Sequence, residues 1–124
     1  MKGVCCLMTT HSSDRTVDRF ERKNGGEGHI LIEKLLAPAE CGSHCRMYAR
    51  VTLEPHCSLG YHEHHGESET YYILSGTGLY DDNGTPVPVE AGDVTFTPSG
   101  HGHGIANTGE IPLVFMALIL PQEA

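Results

Sequence analysis

Four side chains in this chain have the types and spacing to hold a metal ion: His62, His64, Glu69 and His103. His62 and His64 form a His-x-His pair. On an extended strand such a pair projects both imidazoles to one face, because strand side chains alternate with period two. Glu69 and His103 fall just inside later strand candidates, so a curved antiparallel sheet can bring all four groups to one point. Three neutral imidazoles and one carboxylate suit one divalent transition ion per chain, drawn from Zn, Fe, Mn, Ni, Co and Cu. Structural zinc sites are usually closed and rich in cysteine, whereas a mixed His/Glu set more often leaves a position open. Through an open position the ion polarises a carbonyl, binds an enolate, activates water or, as iron, binds dioxygen.

Other residues have two readings each. His65 follows His64 directly and points to the opposite face. His101 shares the face of His103 if the strand is already regular there, but its flanking glycines leave an exposed position equally open. Tyr71 shares parity with Glu69, so it either lines the cavity below the metal or packs in the core. Arg50 and Tyr48 sit on the polar side of their strand. Facing inward, Arg50 would bind a substrate carboxylate bidentately; facing outward, it is a surface or interface charge. Tyr71, His101 and Arg50 are thus the catalytic candidates. His11, His29, His44 and His56 have no partner spacing and read as structural or exposed. Cys41-Gly42-Ser43-His44-Cys45 suggests part of a zinc site, but no second Cys/His cluster with matching spacing completes it.

The ligands belong to two patterns that resemble the cupins. Their first motif is written G-x5-H-x-H-x3-4-E-x6-G, and His62, His64, Glu69 and Gly76 match it. His56, after Pro55, stands where the motif has its leading glycine, and Gly60 is expected to take over part of that turn. The second motif, G-x5-P-x-G-x2-H-x3-N, is matched by Gly92, Pro98, Gly100, His103 and Asn107. The resemblance covers Val51 to about Leu120. It implies a double-stranded β-helix, or jelly-roll barrel, and a homodimer. Similar small proteins include sugar isomerases and epimerases, dioxygenases, decarboxylases and lyases, and fold does not choose among them. The leading expectation is a metal-dependent enzyme acting on a small oxygen-rich metabolite, a sugar acid or other carboxylate. The alternative is a non-catalytic, metal-dependent binding or sensor module, for which no output domain is visible.

Composition narrows the classes further. The chain has 124 residues, 39% of them hydrophobic and 19% charged, which is room for one soluble domain. A net charge of −8 argues against nucleic acid. The longest apolar run, Leu113 to Leu120, has eight residues and cannot span a bilayer as a helix. The apolar stretch at Gly3 to Met8 is too short for a secretory signal, so a cytoplasmic protein is expected. Five irregularly placed cysteines fit reduced thiols better than a disulfide framework.

The elements that must position the site are short strands. Residues 1–23 show no clean periodicity and read as an arm, either loose or laid against a partner subunit. Residues 24–124 read as a single all-β domain. Strands are expected at His29–Leu36, Arg46–Leu53, Ser58–His64, Glu69–Ser75, Gly78–Asp81, Val87–Val89, Asp93–Thr97, Gly102–Ala106 and Leu113–Leu120, with no convincing helix. Met47, Ala49, Val51 and Leu53 form one face of the second of these. Asp81-Asp82-Asn83-Gly84 predicts a tight hairpin. The run Leu113–Leu120 lacks polar alternation and would be covered on both faces, by the domain's own layers or by a second subunit.

Overall fold

Apolar alternation in these segments resolves into ten antiparallel strands in the computed structural model, which describes residues 8–123. They are β1 (Asp18–Glu21), β2 (His29–Lys34), β3 (Met47–Leu53), β4 (Ser58–Glu63), β5 (Glu67–Ser75), β6 (Thr77–Asp82), β7 (Thr85–Glu90), β8 (Val94–Thr97), β9 (Gly102–Asn107) and β10 (Leu113–Pro121). One sheet has the order β1-β2-β3-β10-β5-β8 and the other β4-β9-β6-β7. Each sheet turns one apolar face to the other. Ile30, Val51, Leu53, Ile73, Leu113 and Phe115 come from the larger sheet, and Leu59, Tyr80, Val89 and Ile105 from the smaller. This is the expected jelly roll.

Strand β3 follows its sequence pattern: Ala49, Val51 and Leu53 are buried, while Tyr48 and Arg50 face outward. The β6–β7 hairpin also forms as expected. Asn83 and Gly84 both adopt positive φ, 51° and 101°, which a tight primed turn requires. In strand β10 the domain's own layers cover only one of the two faces. Leu113, Phe115 and Ala117 are fully buried, but Val114, Met116 and Leu118 on its outer face are only half-buried. Among the described residues no second sheet covers that outer face.

Of the expected arm, residues 1–7, with Cys5 and Cys6, lie outside the described residues. Asp18–Glu21 is not loose: it pairs with β2 as an edge strand, and Arg15 bonds Glu33 at 2.9 Å. A 3-10 turn at Lys23–Gly25 then packs on β4. The approach is close because Gly26 and Gly60 lack side chains. A Cβ on Gly60 would collide with the Asn24 carbonyl oxygen, and one on Gly26 with that of Ser58. Gly60 therefore serves close packing. The strained turn before β4 falls to His56, whose φ is 68°. Where no helix was expected, Pro38–Cys41 forms a single helical turn, α1, with Pro38 at its start and the Glu40 carboxylate accepting the Ala37 N–H at 2.8 Å. No helix among the described residues is long and apolar enough to cross a membrane.

Candidate metal centre

A β-bulge sets the geometry. Leu59 pairs with Ile105 and His62 with His103, so three steps along β4 match two along β9. The extra residue, at Gly60–Tyr61, breaks the period-two alternation. Leu59 and His62 would otherwise face opposite ways; here both turn inward, with His64 two residues on. His62 comes to lie directly across from His103 on the neighbouring strand. Glu69 reaches the same point from β5 in the other sheet, and Tyr71 follows it on the same face.

The four donor atoms converge. His103 Nε2 lies 3.1 Å from His62 Nε2, 3.1 Å from His64 Nε2 and 2.9 Å from Glu69 Oε1. His64 Nε2 lies 2.9 Å from the same carboxylate oxygen, and His62 Nε2 3.9 Å from it. His103 is fully buried, and Glu69 and His64 nearly so. A ring nitrogen carries at most one proton, so hydrogen bonding cannot satisfy this many contacts at His103 Nε2.

The opposite ring nitrogens show which way the lone pairs point. His62 Nδ1 is 2.8 Å from the Gly60 carbonyl oxygen, which can only accept. His64 Nδ1 is 2.7 Å from Glu67 Oε2, again an acceptor. Both nitrogens therefore carry the proton, and both Nε2 lone pairs face the centre. His103 Nδ1 meets the hydroxyls of Tyr80 at 2.7 Å and Thr97 at 3.0 Å, which can accept in the same way. Buried partners that fix imidazole tautomers in this manner are characteristic of metal-binding histidines. Donor separations near 3 Å also suit ligands held about 2.0–2.2 Å from one ion. The residues fit a divalent ion.

Electrostatics favour a positive charge at this point. Burial pushes the Glu69 carboxyl up, but the close rings of His103, His62 and His64 outweigh it and hold the group well below the usual carboxylate range. An anionic Glu69 offsets a cation's charge. Burial lowers His103 and keeps it neutral, as a ligand must be. The carboxylate of Glu69 raises His64 against the opposing effect of burial, and Glu67 adds to the rise, so a bound ion would displace a proton from Nε2.

Among the described residues, His62, His64, Glu69 and His103 form the only group of three or more such side chains able to hold an ion. Cys41 and Cys45 are free thiols outside it. Tyr71 joins the centre: it is buried, its Oη lies 3.5 Å from His103 Nε2, and its ring stacks on His103 at 4.8 Å between centroids. It also packs on Phe115, so the cavity and core readings both hold. Burial, then the charge of Glu69, push its hydroxyl well above the ordinary range, leaving it protonated. His101 does not reach the centre; it is exposed and its Nδ1 lies 3.4 Å from the Ser99 carbonyl oxygen. Arg50 is on the outer face, paired in register with Glu33 and Met116. His65 is exposed beside Glu63. Asn107 shapes a turn: its amide donates to the carbonyls of Leu53 and Ile111, each at 2.9 Å.

Sequence reasoning missed Glu67 and Tyr80. Glu67 sits two residues before Glu69 and so shares its face. The signal was present, but β5 begins at Glu67 rather than at Glu69. Tyr80 has the inward parity of β6, with nothing in its type to mark it.

A cavity of about 290 Å³ adjoins the ligands. His62, His64, Glu69 and Tyr71 line part of it, aliphatic side chains line most of the rest, and Lys23 and Asn24 complete the lining.

Comparison with known proteins places this architecture. The chain is 44% identical over 113 residues to an oxalate-binding protein of Thermotoga maritima, covering 91% of this chain and 93% of that protein. A crystal structure described as a predicted oxalate decarboxylase from Thermotoga maritima superposes with a TM-score of 0.88 at 43% identity, covering 93% of this chain and 100% of the other. An oxalate decarboxylase of Bacillus subtilis is 33% identical over 75 residues, which is 56% of this chain but 20% of that protein. Residues 49–119 match the cupin domain family. This chain belongs to that family.

Proposed function

We propose that the protein holds one divalent transition ion at His62, His64, Glu69 and His103 and uses it to bind a small carboxylate, as a metal-dependent enzyme. The observation that carries this reading is the convergence of two fixed Nε2 lone pairs, a third available one and an anionic carboxylate beside an open cavity. When bound, the ion supplies a Lewis acid that polarises the carboxylate or an adjacent carbonyl. Glu67, Gly60, Tyr80 and Thr97 hold the imidazoles in place. Tyr71 keeps a protonated hydroxyl beside the ligands and can donate to charge developing on a bound oxygen. The likeness to an oxalate-binding protein favours oxalate or a 2-oxo or 2-hydroxy acid as the ligand class.

A second reading, metal-dependent binding without turnover, has its own support. His101 and Arg50 lie away from the centre, so Tyr71 is the only one of the three catalytic candidates beside it. One experiment separates the two. Oxalate is titrated calorimetrically into metal-loaded and metal-stripped protein, and the metal-loaded mixtures are analysed for formate and carbon dioxide. Saturable, metal-dependent binding is expected, and product would establish turnover of this acid. Binding that ignores the metal, or no binding by oxalate and 2-oxo acids alike, would overturn the carboxylate reading.

Two copies pair through the outer face of the larger sheet. Tyr48, Tyr72 and Phe96 are 37%, 47% and 53% exposed there, contiguous in register with half-buried Met116 and Leu118. Apolar patches of this kind on a soluble chain mark interaction surfaces. A reducing, cytoplasmic setting fits the free thiols of Cys41, Cys45 and Cys57.

A further inference from the structure

The walls of the metal-site cavity narrow the ligand class. Beyond His62, His64, Glu69 and Tyr71, the side chains around it are Ile30, Ile32, Met47, Val51, Leu59 and Ile119. Four strands contribute them: β2, β3, β4 and β10. Leu59 is there only because the bulge in β4 turns it inward with His62. These six side chains carry no strong hydrogen-bonding group, and beyond the metal centre the polar part of the lining is Lys23 and Asn24.

The volume is also larger than oxalate needs. At about 290 Å³ the cavity equals roughly ten liquid waters of about 30 Å³ each. An ion with a two-carbon diacid fills only part of that. A ligand that laid hydroxyls against these six side chains would leave them unpaired against aliphatic carbon and lose affinity. One that reached in with aliphatic carbon would gain.

We propose that the ligand is a 2-oxo or 2-hydroxy monocarboxylic acid whose short, branched aliphatic side chain packs against Ile30, Ile32, Met47, Val51 and Ile119 while its oxygen-bearing end meets the metal centre. This rests on the metal-dependent carboxylate reading above and disfavours hydroxyl-rich sugar acids at the site. Specificity then comes from the larger sheet's inner face, and the metal centre supplies only the common anchor.

The test is a ligand series on protein loaded with Zn(II), an ion without redox chemistry, read by calorimetry. The acids are oxalate, pyruvate, 4-methyl-2-oxopentanoate and 2-oxoglutarate. The branched acid is expected to bind at least about tenfold tighter than pyruvate, since each buried CH₂ contributes roughly fourfold. It should also bind tighter than 2-oxoglutarate, and Ile119→Thr should lower the ratio of branched-acid to oxalate affinity. If oxalate binds but the branched acid is no better than pyruvate, this proposal fails while the carboxylate reading stands. Tighter binding of 2-oxoglutarate would overturn it in favour of Lys23 reading a second carboxylate. Failure of all four acids would sink both.

Discussion

Glu67 fixes His64: its Oε2 accepts the Nδ1 proton at 2.7 Å, while its other oxygen takes Arg46 at 2.8 Å. The carboxylate therefore sets the tautomer that turns His64 Nε2 toward the ligand cluster, and Arg46 steadies the carboxylate from the solvent side. Removing this support should weaken the site without dismantling it. Glu67→Gln is expected to reduce metal affinity by about 10–100-fold, the usual effect of losing such a partner. Arg46→Ala should cost less, because half of that side chain is in solvent. Competition with a chelating dye measures both. Equal affinity in Glu67→Gln and the parent would show that Glu67 does not orient the ligand.

His56 holds a φ of 68° where the related motif has glycine. A non-glycine residue in that region costs about 1–2 kcal/mol, part of which glycine gives back in unfolded-chain entropy. The His56→Gly variant should therefore gain roughly 0.5–1 kcal/mol, a few degrees in Tm. Thermal melts of metal-free protein isolate the effect. A lower Tm would mean that the exposed imidazole makes a contact worth more than the backbone strain.

The outer face of the larger sheet should be a dimer interface. Light scattering at micromolar concentration is expected to give twice the chain mass for the parent. Phe96→Lys places a charge in the patch on a side chain already 53% exposed, and should yield a folded monomer. A monomeric parent, or a variant that still dimerises, would remove this surface from consideration.

The chain displayed its chemistry more openly than the device that assembles it. His62, His64, Glu69 and His103 were legible because ligand type and spacing repeat a pattern, and Asn83-Gly84 because positive φ has few suitable residues. The inward turn of Leu59 was not legible, since strict alternation puts it opposite His62 and only the bulge at Gly60–Tyr61 reverses that. Strand β1 was hidden because all four of its residues are exposed, so burial leaves no pattern in it. Arg50 could not be oriented from β3 alone. Which face of that strand turns inward depends on the apolar side of β2 and β10, its neighbours in the sheet. The run Leu113–Leu120 looked two-sided because an interior face and an apolar outer face read alike in one dimension.

Whether these four residues hold one divalent ion while the fold stands without it is tested by elemental analysis of purified variants beside their thermal melts. The parent and His65→Ala should carry about one equivalent of metal per chain. His64→Ala, His103→Ala and Glu69→Gln should lose it yet still melt cooperatively, because stability comes mainly from the apolar layer between the sheets. Full metal occupancy in all three variants, or unfolding of all three, would show that these residues are not the ligands or that the fold depends on the ion.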